Sequence, residues 1–335
     1  MMAKSERTGR WPARLHVVTG KGGTGKTTVA AALALGLAAS GRRTLLVEVE
    51  GRQGIAQLFG VEPLPYKELR IATVPGGGEV RALAVDPEEA LLEYLDMFYH
   101  LGAAGRALRK VGAIDFATTI APGLRDVLLT GKIKEVVTRR GKDGRPVYDA
   151  IVVDAPPTGR ITRFLNVTGE VAGLARSGPI KTQSDGVMAV FRSPQTAVHL
   201  VTLLEDMPVQ ETADAIAELT AARLPVGSVI VNMAAEPLLP ADDLARAAAG
   251  RLTADELLPA LTAAGVAGGA ELAEGLAAEA VEHARRWASQ DACRSRIEDL
   301  RRPTVELPML VGPMDLGSVF ELSHRLEDHL RGERS

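Results

Sequence analysis

The run Gly20-Lys21-Gly22-Gly23-Thr24-Gly25-Lys26-Thr27-Thr28 constrains this chain more than any other stretch. From Gly20 to Thr27 it fits the phosphate-cradling pattern G-x-x-x-x-G-K-[ST]. Leu15-His16-Val17-Val18 before it reads as a short buried strand. Residues 29–39 after it, an Ala/Leu run broken only by Gly36, read as a helix. A strand, a glycine turn and a helix start are what a triphosphate requires. Glycines let the backbone of Gly22, Gly23, Thr24 and Gly25 wrap close with its N–H groups inward. The start of the helix, at Lys26, Thr27 and Thr28, adds a partial positive charge. Lys26 is placed to reach the β- and γ-phosphates, and the Thr27 hydroxyl to ligate Mg²⁺. ATP and Mg²⁺ are therefore the expected ligands.

The totals narrow the class. A chain of 335 residues can hold one large domain with an insertion. With 46% hydrophobic but only 4% aromatic residues, its core must be mostly Ala, Val, Leu and Ile. The net charge of −3 advertises neither nucleic acid nor an anionic membrane as partner. Cys293 is the one cysteine, so neither an internal disulfide nor a thiolate metal cluster can form within the chain. It reads as an inert thiol in a reducing, cytoplasmic compartment. Residues 1–14 are polar and basic without an apolar run, which reads as a flexible arm and not a signal peptide. No run of about 20 apolar residues is present, so no transmembrane segment is expected.

Along the chain, strands and helices alternate. Residues 43–49 read as a second strand, followed by Glu50-Gly51-Arg52-Gln53-Gly54. An acid there, beside a phosphate loop, lies where open α/β sheets bind ligands, so Glu50 is a candidate for orienting an attacking water. Residues 80–85 read as a strand and 88–137 as helical. That segment is rich in Leu91, Leu92, Tyr94, Leu95, Met97, Phe98, Tyr99 and Leu101, and is interrupted at Pro122-Gly123. It predicts a helical sub-domain over the nucleotide face, either simple core or a groove for an apolar client. Residues 147–153 form a near-continuous apolar run, as a central parallel strand should. It ends in Asp154-Ala155-Pro156-Pro157-Thr158-Gly159-Arg160. Asp154 holds the position of a Mg²⁺-binding carboxylate, and Gly159 that of a switch whose N–H senses the γ-phosphate. Arg160 and Arg163 are further phosphate-sensor candidates.

Residues 178–194, polar and Gly-bearing, read as a mobile loop. Strands at 196–203 and 225–231 flank a helix at 209–223, and Asn232 at the second strand's end could read a base edge. Residues 234–287 turn to Ala, Glu, Leu and Gly, which predicts helices with a break at 265–269. A last strand at 303–308 and a helix at 316–330 follow. That helix carries Val319, Leu322, Leu326 and Leu330 on one stripe. The fold class is α/β: a P-loop NTPase with a mostly parallel sheet covered by helices on both faces. One domain is expected over 15–335, with a helical sub-domain inserted at about 87–140 and 165–195 and an Ala/Glu-rich helical segment at 235–300.

Lys21, directly after the first loop glycine, makes the loop resemble the deviant Walker A of the MinD/ParA/nitrogenase-iron-protein class. Glu50 to Phe59, the run Asp154 to Arg160, Ala121-Pro122-Gly123-Leu124-Arg125-Asp126-Val127, and Glu205, Pro208, Glu211 and Thr212 together resemble one branch of it. That is the arsenical-pump-driving and tail-anchored-protein-targeting branch, in particular short single-cassette actinobacterial anion-transporter ATPases. The resemblance implies that Lys21 crosses to a partner subunit's nucleotide, that Asn232 reads adenine, and that Pro308 lies in a loop beside the base. It sets Lys21, Lys26 and Glu50 as the catalytic group. The branch's switch aspartate is Glu50 here, one methylene longer. The cysteines that bind arsenite or bridge two subunits through zinc are missing.

The implied function is an ATP-hydrolysing dimeric switch, a homodimer or a heterodimer with a sister ATPase, acting on a client protein or membrane partner. It would be cytoplasmic or peripheral to the inner face of the membrane, and no nucleic acid is expected. The alternatives are a MinD/ParA-like spatial-organising ATPase and a catalytically weak nucleotide-binding subunit of a heteromeric ATPase.

Overall fold

In a computed structural model, which describes residues 13–39, 41–99, 123–166 and 179–331, eight strands form one sheet. They are β1 (Leu15–Gly20), β2 (Arg43–Glu48), β3 (Leu69–Thr73), β4 (Glu79–Ala84), β5 (Ala150–Asp154), β6 (Thr196–Thr202), β7 (Val226–Ala234) and β8 (Thr304–Pro308). The order is β3-β4-β2-β5-β1-β6-β7-β8. Every neighbouring pair is parallel except β3 with β4. The chain runs outward from β1 in both directions, so the sheet's switch point lies at the carboxyl end of β1, where the glycine loop begins.

Eleven helices are described: α1 (Lys26–Ala38), α2 (Gly54–Phe59), α3 (Pro87–Tyr99), α4 (Leu124–Thr138), α5 (Thr158–Leu165), α6 (Pro179–Phe191), α7 (Asp206–Ala221), α8 (Ala241–Ala248), α9 (Ala254–Ala263), α10 (Gly269–Asp299) and α11 (Leu316–Arg331). The central strands are buried from end to end, β1 and β5 in every residue. Strands covered on both faces need apolar residues on both, which is why they read as continuous runs. One core layer packs α4, α5, α6 and α7 on one face. The other packs α1, α2 and α11 on the opposite face. The stripe on α11 behaves as its spacing predicts: Val319, Leu322 and Leu326 are buried and Leu330 packs against them.

Three readings need correction. Residues 179–191, expected as part of a mobile loop, form α6, with Val187, Met188, Val190 and Phe191 buried in the core. Its polar first half hid a short apolar stripe at i, i+3 and i+4. Strand β3 was missed: it is a five-residue antiparallel edge, with none of its residues buried. The run at 147–153 becomes a strand only from Ala150. In the segments expected as a helical sub-domain the described elements are α3, α4 and α6, and Lys132 of α4 pairs with Glu93 of α3 at 2.9 Å. The arm to residue 12, Leu101, Pro122, and the side chains of Met97, Phe98 and Tyr99 lie outside the described residues.

Candidate nucleotide site

The site is built on the ends of β1, β2, β5 and β7. At Gly20 the backbone passes so near β6 that an added Cβ would stand 2.2 Å from the Val201 carbonyl oxygen. Gly25 turns the chain into α1 with φ +81, a left-handed conformation that L residues rarely adopt, and its Cβ would collide with the Asn232 amide nitrogen at 2.3 Å. No side chain caps α1 at Gly25, so the amino end of the helix is left to the loop. From Val29 to Ala38 every residue of α1 is buried, which fixes that end rigidly against the sheet.

Inside the loop, the Lys21 carbonyl accepts from the Thr24 hydroxyl at 2.9 Å and from Lys26 Nζ at 3.4 Å. Lys26 is therefore folded into the loop. Burial pulls its ammonium below the usual range, and Asp154 and Glu50 oppose that. Lys21 points elsewhere: its Nζ lies 2.8 Å from Glu211 Oε1 on α7. In the first turn of α1, next to Thr28, the Thr27 hydroxyl donates to Asp154 Oδ2 at 2.7 Å. Burial raises the Asp154 carboxyl to about 6, while the Thr27 hydrogen bond and Lys26 act against it. A hydroxyl and a buried carboxylate at the mouth of a phosphate loop are the donor pair that suits Mg²⁺. Among the described residues no group of three or more His, Cys, Asp or Glu side chains forms a separate metal site. Cys293 is buried, and burial pushes its thiol up.

The two segments expected as switches adjoin this loop. The Thr19 hydroxyl donates to the Pro156 carbonyl at 2.7 Å, fixing the start of the second. Thr158 and Gly159 then open α5, and the space beside Gly159 is empty. In the first segment, β2 ends at Glu48, two residues before Glu50. Glu48, which the sequence did not single out, is 2% exposed and accepts from the Gln53 and Ile55 N–H groups, so it holds the segment's backbone. Glu50 is free of that task. Its carboxylate lies 3.6 Å from Arg52 and 3.7 Å from Arg160.

Asn232 is buried and donates from Nδ2 to the Thr24 carbonyl at 2.9 Å. Strand β7 runs on past it to Ala234, with a register shift and with Met233 at φ 54. This irregularity aims Asn232 at the loop. Pro308 stands at the end of β8 opposite Ala234 and lines a cavity of about 340 Å³ with Trp287, Arg294 and Glu306. The structure thus gathers Lys21, Gly22, Gly23, Thr24, Gly25, Lys26, Thr27, Thr28, Asp154 and Asn232 at one loop, with Glu50 and Gly159 on the adjoining segments. Pro308 is on the neighbouring strand end.

A mostly parallel sheet with this loop at its switch point defines a P-loop NTPase. The sequence profile of the anion-transporting ATPases matches residues 13–176. The chain is 59% identical over 321 residues to "ATPase BagA" of Mycobacterium tuberculosis, covering 94% of each chain. "ATPase GET3" of Kluyveromyces lactis is 26% identical over 249 residues, 64% of this chain and 70% of its own. An Aquifex aeolicus relative named as an arsenical pump-driving ATPase is 31% identical over 156 residues, 45% and 48% of the two chains. The chain belongs to the anion-transporting ATPase family and is an ATPase. Among the described residues, no helix is long and apolar enough to cross a membrane.

Proposed function

We propose that this ATPase is a two-subunit switch, closed by Mg-ATP across the phosphate loops and reopened by hydrolysis. The observation that carries this reading is the divergence of two lysines on one loop. Lys26 is turned inward on the Lys21 carbonyl, whereas Lys21 reaches out of the loop to a partly exposed carboxylate. A second ammonium at the rim is suited to a triphosphate approached from outside, by a second copy or a sister chain.

Phosphoryl transfer asks a protein for positioning and charge more than for covalent chemistry. The amides from Gly22 to Thr28 cradle the phosphates, and Asn232 stands beside them to read adenine, with Pro308 near the base. Thr27 and Asp154 would hold Mg²⁺, which would supply positive charge to the phosphates. Lys26 and the partner's copy of Lys21 spread the developing charge, and Glu50 orients water once Arg52 and Arg160 release it. Gly159 reports the γ-phosphate to α5. Helices α3, α4 and α6 carry the change to a client protein or membrane partner.

The flanking of Glu50 by two guanidinium groups favours a second reading, a catalytically weak subunit that binds ATP mainly for assembly. One experiment separates them. Turnover and sedimentation are measured with Mg-ATP for the wild type, Lys21→Ala, Lys26→Ala and Glu50→Gln. We expect Lys26→Ala to lose turnover by on the order of a hundredfold or more, and Lys21→Ala to lose nucleotide-driven association. Wild-type protein that stays monomeric with Mg-ATP, alone or with a sister chain, would end the switch reading. Turnover unchanged in Glu50→Gln would favour the weak subunit.

A further inference from the structure

Glu211 has no role in the reading above, yet its carboxylate touches both moving parts. One oxygen lies 2.8 Å from Lys21 Nζ; the other accepts from the Thr158 hydroxyl at 3.3 Å. Lys21 belongs to the phosphate loop and Thr158 opens α5, the second switch helix. Two turns further along α7, Glu218 accepts from the Thr162 hydroxyl at 3.0 Å, so α5 lies along α7 through two matched bonds. At the amino end of α7, Arg296 of α10 pairs with Asp206 at 2.9 Å and donates to Gln210 at 3.3 Å. Helix α7 is thereby anchored at one end while its Glu211 holds the loop and the switch together.

We infer that Glu211 is a positioning residue, a latch within the subunit that holds the Lys21 ammonium until nucleotide draws it off, leaving the carboxylate on Thr158 alone. The inference rests on the dimer reading for its consequence and on the contacts alone for the latch itself. Lys21 cannot serve a partner's triphosphate while its ammonium sits on Glu211. About a third of each side chain is exposed. A solvent-screened pair of that kind is weak, worth a factor of roughly two to five. That is strong enough to bias an unliganded loop and weak enough for a triphosphate to break. A closed dimer breaks two such latches, so their removal should tighten it by roughly four- to twenty-fivefold.

The test uses Glu211→Gln, which keeps an oxygen for Thr158 and removes the charge that holds Lys21. In the first arm, nucleotide-free protein is acylated with an amine-reactive ester, and Lys21 is followed by mass spectrometry against exposed Lys142 in the same sample. We expect Lys21 to react severalfold faster in Glu211→Gln; an unchanged ratio overturns the latch. In the second arm, association is measured by sedimentation with a non-hydrolysable Mg-ATP analogue. We expect Glu211→Gln to tighten the dimer, with the gain gone in a Lys21→Ala background. Equal or weaker association, or the same gain without Lys21, overturns the inference, because a merely structural Glu211 would act without regard to Lys21. If the wild type fails to associate, the dimer reading fails, and the acylation arm alone decides whether the latch exists. The melting temperature of each variant separates misfolding from either result.

Discussion

Helix α1 and the α9–α10 pair are both rich in alanine, and they are used in opposite ways. In α1 every residue from Val29 to Ala38 is buried, and the helix lies between the sheet and α11. Small side chains there allow close approach on all sides, and the helix has no polar face to give up. Helix α9 has no buried residue at all. Helix α10 buries only Ala273, Ala280, Ala284, Cys293 and Ile297 over 31 residues. A cluster of Leu244, Ala247, Ala280 and Ala284 is the small core beneath α8 and α10. Alanine in this lobe supplies helix propensity more than packing. The glycine loop therefore stands on the tightest part of the molecule, while the lobe can vary without disturbing it.

Core truncation should expose that contrast most sharply. Leu33 of α1 is fully buried. Leu33→Ala should cost about 3 kcal/mol, through lost transfer energy and a cavity that the rigid sheet cannot close. Leu261→Ala on the partly exposed face of α9 should cost less than about 1 kcal/mol. Urea midpoints of the two variants check this, with equal losses breaking the distinction. Leu33→Ala should also weaken ATP binding, because α1 carries the loop.

The legibility of the site follows the same division. The glycine loop, α1 and the strand into Asp154 could be read because burial on all sides forces unbroken apolar runs and because a phosphate demands glycine at set places. Strand β3 could not, since an exposed edge needs no pattern. Helix α6 was misread because Gly186 and a polar first half outweighed the short Val187–Phe191 stripe. The direction of Asn232 depends on a left-handed Met233, and methionine gives no sign of it in sequence. Glu48 and Glu211 act through contacts across the fold. An acid at a strand end and an acid on a helix look alike until those contacts are seen.

Acidity should act on the packed half next. His16 and His199 are fully buried on neighbouring strands β1 and β6. Ser228 N–H donates to His199 Nδ1 at 3.1 Å, so His199 Nε2–H donates to His16 Nδ1 at 3.0 Å, and both rings are neutral. Burial lowers His16 to about 4 and drives His199 well below its ordinary value. Unfolded chains bind these protons first, so stability falls as pH drops below about 6.5, by about 2 kcal/mol from His16 between pH 7 and pH 5, with His199 acting in the same direction. Asp154 has the opposite sign. Its raised carboxyl binds a proton in the folded state first, and contributes about 1 kcal/mol of stability at pH 5 that is lost as pH rises through 6. Chemical denaturation from pH 7 to pH 5 should therefore show a net decline, made steeper by Asp154→Asn. A flat profile, or one that rises toward pH 5, would mean that the imidazoles are not held neutral.

The smallest expected effect tests the lobe's side of the comparison. Gly275 lies within α10, and an added Cβ there would meet nothing within 4 Å. A glycine in an exposed helix costs folding entropy without returning contact, so Gly275→Ala should stabilise by about 0.5–1 kcal/mol. The same change at Gly20 drives a methyl into the Val201 carbonyl and should be strongly unfavourable. If the lobe unfolds together with the sheet, thermal melting of Gly275→Ala shifts upward as one transition. If it unfolds first, calorimetry shows only an early, minor transition moving, and the ATP-binding core melts where it did before. Either result gives the sign; a destabilised Gly275→Ala would show that a surface now read as open is packed against something in the working protein.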